Sequence, residues 1–554
     1  MKSQSVAIAN EGPPRTELGA RSFGGAWPSV LVLFSAICLC IRTVIVLQRW
    51  SGYEIGKYFF ADDAFYYFKI AQNVVLGRGS TFDGSSATNG YHPLWELCCI
   101  GFHAIWPGSS AGMVSLVFVV QTVLLLAATW LLYRGLAPRN VWAAALSALL
   151  LMLNTVTSLV LIDGMESGLA FALLCALTYL AATRGDRFFD LRESRYSIAI
   201  AALLVGLALT RLEASLFAAT FISIALARGV RERGAQLGNS LVVAAALGGT
   251  ALAYVAVNFA IVGLPVPVSG LVKELLPASP GAIQRVSEAQ FAWFVSPLRL
   301  QKVFENKLIS AALFVALLYG LGAFVRDAWQ RRHFGLVLVV ANCVILIAYN
   351  LFSIRQAFHW YGWPALLLGT LGTFGLLTRL LNGLSGWRGR SVFASVFVLA
   401  VAYGAGTTYR VATRDYDQLY DWASSPVLMD TARHFIEHEV PPDAQLAGDS
   451  VGLLSYLGGR DILNVEGLVG DRAYYQALKR GDSRNLLRER GVSWLVTTLR
   501  DDYALPCARA ESWDLADEAR QVTSEPIAGN VHVYRLDYSG CPANILLSTP
   551  GQKR

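Results

Sequence analysis

Long apolar runs fill residues 28–409 and alternate with short polar stretches. Each run is about 18–25 residues long, which is the length that a helix needs to cross about 30 Å of hydrocarbon. The region 196–228 also fits a single re-entrant pair of helices. We predict eleven membrane-spanning helices, at 28–48, 110–132, 141–161, 166–183, 196–211, 213–228, 238–262, 308–325, 334–354, 358–378 and 391–409. The pattern therefore predicts a polytopic α-helical membrane protein.

The two ends of the chain differ from this apolar part. Residues 1–27 are polar and contain Gly, Pro, Ser and Arg, which predicts a disordered cytoplasmic N-terminus. In residues 410–554, the tail, charged residues become frequent. Strand-like runs at 494–498 and 531–535 and a helical pattern at 428–439 predict an α/β domain there. We therefore divide the chain into a leader (1–27), a transmembrane domain (28–409) and a soluble domain (410–554).

Arginine residues gather in the short turns between alternate pairs of apolar runs. The arginine-rich turns carry Arg134 and Arg139; Arg184, Arg187, Arg192 and Arg195; Arg228, Arg231 and Arg233; Arg326, Arg331 and Arg332; and Arg379, Arg388 and Arg390. Short cytoplasmic loops are the ones enriched in Lys and Arg. With the N-terminus inside, all five turns fall on the cytoplasmic side. The first loop (49–109), the loop 263–307 and the tail are then predicted to be extracytoplasmic.

Composition and charge agree with this interpretation. Hydrophobic residues make up 54% of the chain and charged residues 15%, whereas soluble domains have about a quarter charged. The net charge of +7 comes largely from the arginine-rich turns, so it does not indicate a nucleic-acid partner. Cys507 and Cys541 are the two cysteines of the tail, and an extracytoplasmic tail would allow them to form a disulfide. Two unpaired thiols are the alternative.

The first loop begins with an acidic pair. Asp62 and Asp63 follow the first span directly and precede a helical pattern that ends at Gly77. Asp62 and Lys69 are seven residues apart, so they lie two turns apart on nearly the same face of this helix. A carboxylate and a cation on one face can serve as a base and an anion-binding group. Alternatively, the two aspartates cap the N-terminus of the helix, where acidic residues are favoured.

The same helix carries an apolar row. Tyr66, Ile70 and Val74 recur at four-residue intervals, which places them on one side of the helix. We therefore expect this helix to lie along the membrane interface.

Several further ionisable residues are predicted at the outer ends of spans or in outer loops: Glu166, Arg211, Glu213, Lys273, Arg355 and His359. Ionisable groups at membrane depth are costly, so each is a candidate for a functional site. Because they come from distant parts of the sequence, we expect them to converge on one outward-facing cavity. Arg211 and Glu213 could instead pair only with each other at a tight turn.

Motifs along the chain resemble those of a known family. The run DDAFYYFKIAQNVVLGRGSTFDG at 62–84 and TNGYHPLW at 88–95 are similar to the first-loop signature of the GT-C glycosyltransferases, and more narrowly to their terminal arabinofuranosyltransferase branch. Weaker matches follow in the same order. They are DGMESGL (163–169), TRLE (210–213), PVSGLVK (267–273), HWYGWP (359–364), GLLSY (452–456) and LNVEGLVGD (463–471).

The resemblance implies a GT-C-like enzyme of the bacterial plasma membrane. Such an enzyme transfers a sugar, for example arabinofuranose, with inversion from a polyprenyl-phosphate donor to an extracytoplasmic glycan or protein acceptor. The family's catalytic base is the first-loop aspartate, which corresponds to Asp62 or Asp63. We prefer Asp62, since it shares a helix face with Lys69.

Roles for the remaining candidates follow from that chemistry. The departing phosphate is negatively charged and is bound best by cationic side chains. We therefore predict that the donor phosphate is bound by Lys69, Lys273, Arg355 and His359. The predicted substrate-binding residues are His92, Glu166, Arg211, Glu213 and Tyr361. His92, which precedes a proline, could be structural, and Tyr361 could belong to an interfacial aromatic belt. No metal-binding motif is evident, so we expect neither a metal nor another cofactor.

Two other functions fit the sequence less well. A transporter or lipid flippase would need charged residues near the bilayer midplane, whereas the candidates here are predicted at one face. A ligase that moves whole oligosaccharides differs mainly in the size of its donor, and the sequence leaves that alternative open.

Overall fold

The computed structural model describes residues 27–106, 108–275, 281–298, 307–353, 358–382, 395, 398–399, 401–409, 426–498, 507–516 and 531–541. Helices account for nearly all of the described chain before the tail. In chain order they are α1 (Trp27–Arg49), α2 (Gly52–Phe59), α3 (Asp62–Val75), α4 (Pro93–Ile105), α5 (Ser110–Leu136), α6 (Val141–Leu153), α7 (Thr155–Leu161), α8 (Ser167–Arg184), α9 (Ser194–Thr210), α10 (Ser215–Glu232), α11 (Gly234–Val262), α12 (Val268–Leu275), α13 (Ala282–Val295), α14 (Lys307–Gln330), α15 (Phe334–Ser353) and α16 (Trp363–Asn382).

Eight described helical segments are long and apolar enough to cross a membrane: Trp27–Arg49, Ser110–Leu136, Ser167–Phe189, Leu212–Glu232, Gly234–Val262, Lys307–Gln330, Phe334–Ser353 and Trp363–Asn382. Each coincides with a predicted span. The predicted span 141–161 is two shorter helices, because the Asn154 side chain caps α7 by accepting from the Val156 and Thr157 amides. The span 196–211 is the 17-residue α9, and 391–409 lies partly outside the described residues.

The arginine-rich turns meet at one end of the bundle. Arg139, after α5, contacts His333 at 2.7 Å and Asp327 at 3.8 Å, beside the turn between α14 and α15. Arg192, before α9, pairs with Glu232 at the end of α10, with Nη2 and Oε2 2.6 Å apart. Side-chain contacts thus join four of the five arginine-rich turns in pairs, and Arg388 and Arg390 of the fifth lie outside the described residues.

Small residues bring α14 and α16 into close contact. A Cβ added at Gly320 of α14 would lie 2.2 Å from the carbonyl oxygen of Gly372 in α16. One added at Gly375 would lie 2.0 Å from the carbonyl oxygen of Gly320. Glycine is therefore required at this crossing, as is common where transmembrane helices approach closely.

The tail forms a mixed five-stranded sheet with helices. Its elements are α17 (Pro426–His438), β1 (Gln445–Gly448), α18 (Gly452–Leu457), β2 (Ile462–Asn464), α19 (Arg472–Arg480), α20 (Ser483–Glu489), β3 (Val492–Thr497), β4 (Arg509–Asp514) and β5 (His532–Asp537). The strand order is β2-β1-β3-β5-β4. Strands β1, β2 and β3 are parallel, and β5 runs antiparallel to β3 and β4. The helix and both strands that the sequence predicts are present, and Cys507 is bonded to Cys541 as predicted.

Helix α3 lies between the bundle and the tail. Phe65 and Phe68 are fully buried in the core of the bundle. Tyr66 and Ile70, on the opposite side, pack into the core of the tail together with Val451. The apolar row of α3 therefore packs against protein. The row itself does not face lipid, because an apolar face indicates burial without indicating what covers it, and the position of α3 along the membrane interface stays a prediction.

Candidate active site

Asp62 is held by the tail. The N-cap of α3, Ala61, makes no side-chain capping bond. The Asp62 carboxylate instead accepts hydrogen bonds from the amides of Gly452 and Leu453, each at 2.9 Å, and so caps the first turn of α18. A Cβ added at Gly452 would lie 2.3 Å from the Asp62 carbonyl oxygen, so only glycine allows this approach.

Asp63, the next residue, has a different environment. It is partly exposed. Within the described part of the chain, no group hydrogen-bonds or ion-pairs with its carboxylate. Burial and the charges of Glu466, Asp62 and Glu166 raise the pKa of Asp63 to about 7, although Lys273 opposes them. Burial also raises the pKa of Asp62, to about 6, against the two amide hydrogen bonds.

Lys273 provides a cation whose charge acts on Asp63. It lies on the short helix α12, and its ammonium donates to the Tyr361 hydroxyl at 3.3 Å. Burial lowers the pKa of Lys273, but Tyr361 and Asp63 outweigh it and the pKa is raised overall. Lys273 therefore keeps its positive charge at neutral pH.

Behind Lys273 lies a buried ionic network centred on Arg211. The Arg211 guanidinium donates to Glu166 at 2.6 Å and to Glu213 at 2.7 Å. It also stacks over the Tyr361 ring, 4.6 Å from the ring centroid. Only 1% of the Arg211 and Glu166 side chains is exposed. The pairing of Arg211 with Glu213 that the sequence allowed is present, but Glu166 and Tyr361 join it, and the network fixes the ring that Lys273 contacts.

The two predicted histidines lie beside acidic residues. His92 Nε2 is 3.6 Å from Glu166 Oε1, and the His92 amide donates to the Tyr67 hydroxyl at 3.2 Å. His359 Nε2 is 3.3 Å from Asp163 Oδ2. The sequence interpretation missed Asp163, although the DGMESGL motif that contains Glu166 begins with it.

Two other predicted phosphate ligands remain, one of which pairs with the tail and one of which lies outside the described residues. Lys69 is buried and pairs with Asp461 of the tail, with Nζ and Oδ1 2.9 Å apart. The preference for Asp62, which rested on a face shared with Lys69, therefore loses its support. Arg355 lies outside the described residues.

The tail contributes Glu466 to the cluster. Glu466 follows β2, and its Oε2 accepts from the Tyr66 hydroxyl at 3.1 Å and from the Asn464 amide group at 3.2 Å. The charge of Glu466 acts on both Asp62 and Asp63. The acidic residues of LNVEGLVGD were visible in the sequence, but no local pattern indicated that this turn meets α3.

The described residues include no group of three or more His, Cys, Asp or Glu side chains that could hold a metal ion. The cluster as a whole combines a partly exposed carboxyl group that titrates near neutral pH with a retained ammonium group. Such a pair can remove a proton from a hydroxyl and hold an anion.

The fold is shared with membrane enzymes of the GT-C type. ArnT from Cupriavidus metallidurans, solved bound to undecaprenyl phosphate, superposes with a TM-score of 0.54 at 11% identity, covering 92% of this chain and 98% of that one. An Archaeoglobus fulgidus oligosaccharyltransferase tethered to an acceptor peptide gives 0.51 at 10% identity, covering 86% and 69%. No known protein family and no curated protein sequence matches the chain. The protein is thus a multi-pass membrane protein with a GT-C-like fold.

Proposed function

We propose that this protein is an inverting glycosyltransferase that uses a polyprenyl-phosphate sugar and that Asp63 is its catalytic base. The proposal rests mainly on one observation: Asp63 is partly exposed, has no partner among the described residues and interacts electrostatically with Lys273. Asp62, by contrast, uses both carboxylate oxygens to hold the tail. The shared fold with a structure that binds undecaprenyl phosphate supports the class of donor.

In the proposed reaction, Asp63 removes the proton from an acceptor hydroxyl. The hydroxyl oxygen attacks the anomeric carbon of the donor sugar from the side opposite the phosphate and forms the new glycosidic bond. The bond between that carbon and the phosphate oxygen breaks, and the electron pair leaves with the polyprenyl phosphate. The Lys273 ammonium stabilises the departing phosphate.

The other candidates have supporting roles in this proposal. The network of Arg211, Glu166 and Glu213 positions Tyr361 and, through it, Lys273. His359 and Arg355 remain predicted contacts of the donor phosphate, and His92 remains a predicted substrate contact. We omit Lys69 from the phosphate site, since Asp461 already neutralises it.

We further propose that the donor sugar is a pentofuranose such as arabinofuranose, and that the acceptor is an extracytoplasmic glycan or protein. The motifs in 62–95 support the sugar. The arginine-rich end of the bundle supports a bacterial plasma membrane orientation with the site outside, as does the disulfide of the tail. A transporter is disfavoured, because the clustered ionisable groups lie at helix ends and in loops.

The direct test is to incubate the purified full-length protein with a panel of polyprenyl-phosphate sugars and measure released polyprenyl phosphate. Asp63→Asn should lower kcat by about 100- to 10,000-fold, the usual contribution of a general base. Its thermal stability should be unchanged, since the described residues make no hydrogen bond to this carboxylate. Turnover should persist in EDTA, because the proposed site needs no divalent metal.

Asp62→Asn is the matched control, since it changes the neighbouring carboxylate in the same way. It should weaken the contact with α18 and reduce kcat less than Asp63→Asn does. Normal turnover by Asp63→Asn would rule out Asp63 as the base. A lipid-linked oligosaccharide in the panel that is used in preference to every single sugar would favour the ligase alternative.

A further inference from the structure

The tail places a carboxylate of fixed orientation beside Asp63. Glu466 Oε2 accepts three hydrogen bonds, from the Tyr66 hydroxyl at 3.1 Å, the Asn464 side-chain amide at 3.2 Å and the Ser450 backbone amide at 3.3 Å. Asn464 also donates to the Tyr66 hydroxyl at 3.1 Å. These donors fix one oxygen, whereas Oε1 has no hydrogen-bond partner among the residues that the structure describes.

The turn that carries Glu466 packs against the helix that carries Lys273. Gly467 has φ +81°, a conformation that favours glycine. A Cβ added there would lie 2.6 Å from Leu478 and 3.4 Å from Val272. Val272 is the neighbour of Lys273 and packs against Leu478 of α19. The tail and α12 are thus packed against each other, and this contact fixes the position of Glu466 relative to Lys273.

The opposite charges of Lys273 and Glu466 suit them to different substrates, the donor and the acceptor. Lys273 attracts the anionic phosphate of the donor, whereas the Glu466 carboxylate repels it. Sugar hydroxyls donate hydrogen bonds, and an ionised carboxylate is a strong acceptor for them. Glu466 also belongs to the soluble tail, whereas Lys273 lies on α12, the helix that follows the apolar helix α11. A lipid-linked donor would therefore meet Lys273, and a water-borne acceptor would meet Glu466.

We propose that Glu466 Oε1 binds a hydroxyl group of a sugar acceptor, next to the hydroxyl that Asp63 deprotonates, and so selects the acceptor. The inference rests on the proposed glycosyl transfer. No bond of the acceptor breaks at Glu466; the carboxylate only orients the acceptor. The tail thereby determines which hydroxyl-bearing acceptors the enzyme can use.

The test measures transfer by the full-length protein to octyl glycosides and to their monodeoxy forms. Glu466→Gln should raise the acceptor KM about 10- to 150-fold, the usual range for a hydrogen bond to a charged group. The donor KM and the melting temperature should not change, and neither should kcat above about pH 8, where Asp63 is deprotonated in both proteins. Glu466→Asp should restore part of the loss. The matched control is Glu511→Gln, which removes an exposed carboxylate of the tail in β4. Its KM values and kcat should equal those of the wild-type protein.

One monodeoxy acceptor should identify the bound hydroxyl. With the wild-type protein it should raise KM by the same factor as Glu466→Gln does, and with Glu466→Gln it should cause no further loss. An unchanged acceptor KM in Glu466→Gln would overturn the inference. So would a fall in kcat alone. A lower melting temperature together with changes in both the donor KM and the acceptor KM would overturn it as well. The inference would also be overturned if the wild-type protein transferred sugar to a peptide acceptor but to none of the octyl glycosides. A wild-type protein that uses no polyprenyl-phosphate sugar would instead refute the proposed function.

Discussion

Two adjacent aspartates have different tasks because their surroundings differ. Both are in the first turn of α3, and sequence reasoning could not separate them. Asp62 accepts two backbone amide hydrogen bonds, which favour its charged form and restrict its motion. Asp63 has no such bonds among the described residues, and burial with nearby carboxylates brings its pKa to about 7. A base of that pKa suits proton abstraction at neutral pH.

The pKa of Asp63 predicts a pH dependence of activity. A base works in its deprotonated form, and the pKa of Asp63 is about 7. We therefore expect kcat/KM to rise about tenfold per pH unit below that pH and to level off above about pH 8, since kcat/KM reports the free enzyme. Initial rates between about pH 5 and pH 9 would measure this profile.

The same profile distinguishes Asp63 from other bases. The Glu466 charge raises the pKa of Asp63, so Glu466→Gln should move the acidic limb to lower pH. Glu511→Gln should leave the limb where it is. A rate that is constant from about pH 5 to pH 8 in the wild-type protein would contradict the assignment of Asp63.

At the scale of elements, the site depends on contacts between α3 and two parts of the tail. The short helix α18 approaches the start of α3 closely enough for Asp62 to cap it. The turn after β2 contacts α12 and carries Glu466. Each contact uses a glycine, Gly452 or Gly467, where a side chain would collide. The position of the tail is therefore part of the geometry of the site.

Gly452→Ala should separate α18 from α3. The added Cβ would lie 2.3 Å from the backbone oxygen of Asp62, and such overpacking typically destabilises by about 1–3 kcal/mol. We expect a lower melting temperature, faster proteolysis of the tail and reduced turnover.

Gly540→Ala is the matched control within the tail, because its added Cβ would be 3.6 Å from the nearest atom, an ordinary contact. Limited proteolysis and thermal unfolding in detergent would compare the two variants. If Gly452→Ala were proteolysed and turned over substrate at the same rates as the wild-type protein, the close approach of α18 to α3 would not be required for stability or activity.

At the scale of the molecule, the bundle has two different ends. The arginine-rich turns meet at one end, through contacts such as Arg139 with Asp327. Helix α8 runs from Glu166 in the candidate site to Arg184 near those turns. Its 18 residues span roughly 27 Å at about 1.5 Å per residue, close to the thickness of the hydrocarbon core. The candidate site and the arginine-rich turns are thus at opposite ends of a helix that is long enough to cross a bilayer.

This separation predicts which residues face the outside of a cell. Ala87 and Ser194 are both exposed, Ala87 in the first loop and Ser194 at the start of α9. A membrane-impermeant maleimide should label Ala87→Cys in intact cells above the wild-type background. It should label Ser194→Cys only after lysis. The reverse pattern would put the candidate site on the cytosolic side and remove the proposed orientation.

Much of the architecture was predictable, because helix length and apolar runs depend on local sequence. The eight spans, the helix α17 and strands β3 and β5 follow from such patterns. The break between α6 and α7 at Asn154 could not be predicted in this way, since a single capping residue is a weak signal inside an apolar run.

The candidate site was less predictable, because its contacts join distant parts of the chain. The sequence placed Lys273, Arg211 and Glu166 in one cavity, and the structure brings them close to Asp63. The sequence could not predict that Asp461 neutralises Lys69 or that Glu466 approaches Asp63. Helical periodicity identifies which side chains share a face, but it carries no information about a partner hundreds of residues away.

The hydrogen bond between Asp62 and the Gly452 amide joins groups 390 positions apart. A ribosome therefore completes every membrane-spanning helix described here before it reaches the start of α18, which Asp62 caps, and the carboxylate of Glu466. A nascent or truncated chain that ends before residue 452 contains every described membrane-spanning helix but lacks the tail residues of the candidate site. In this protein the candidate site is therefore completed last in synthesis, after all the described membrane-spanning helices.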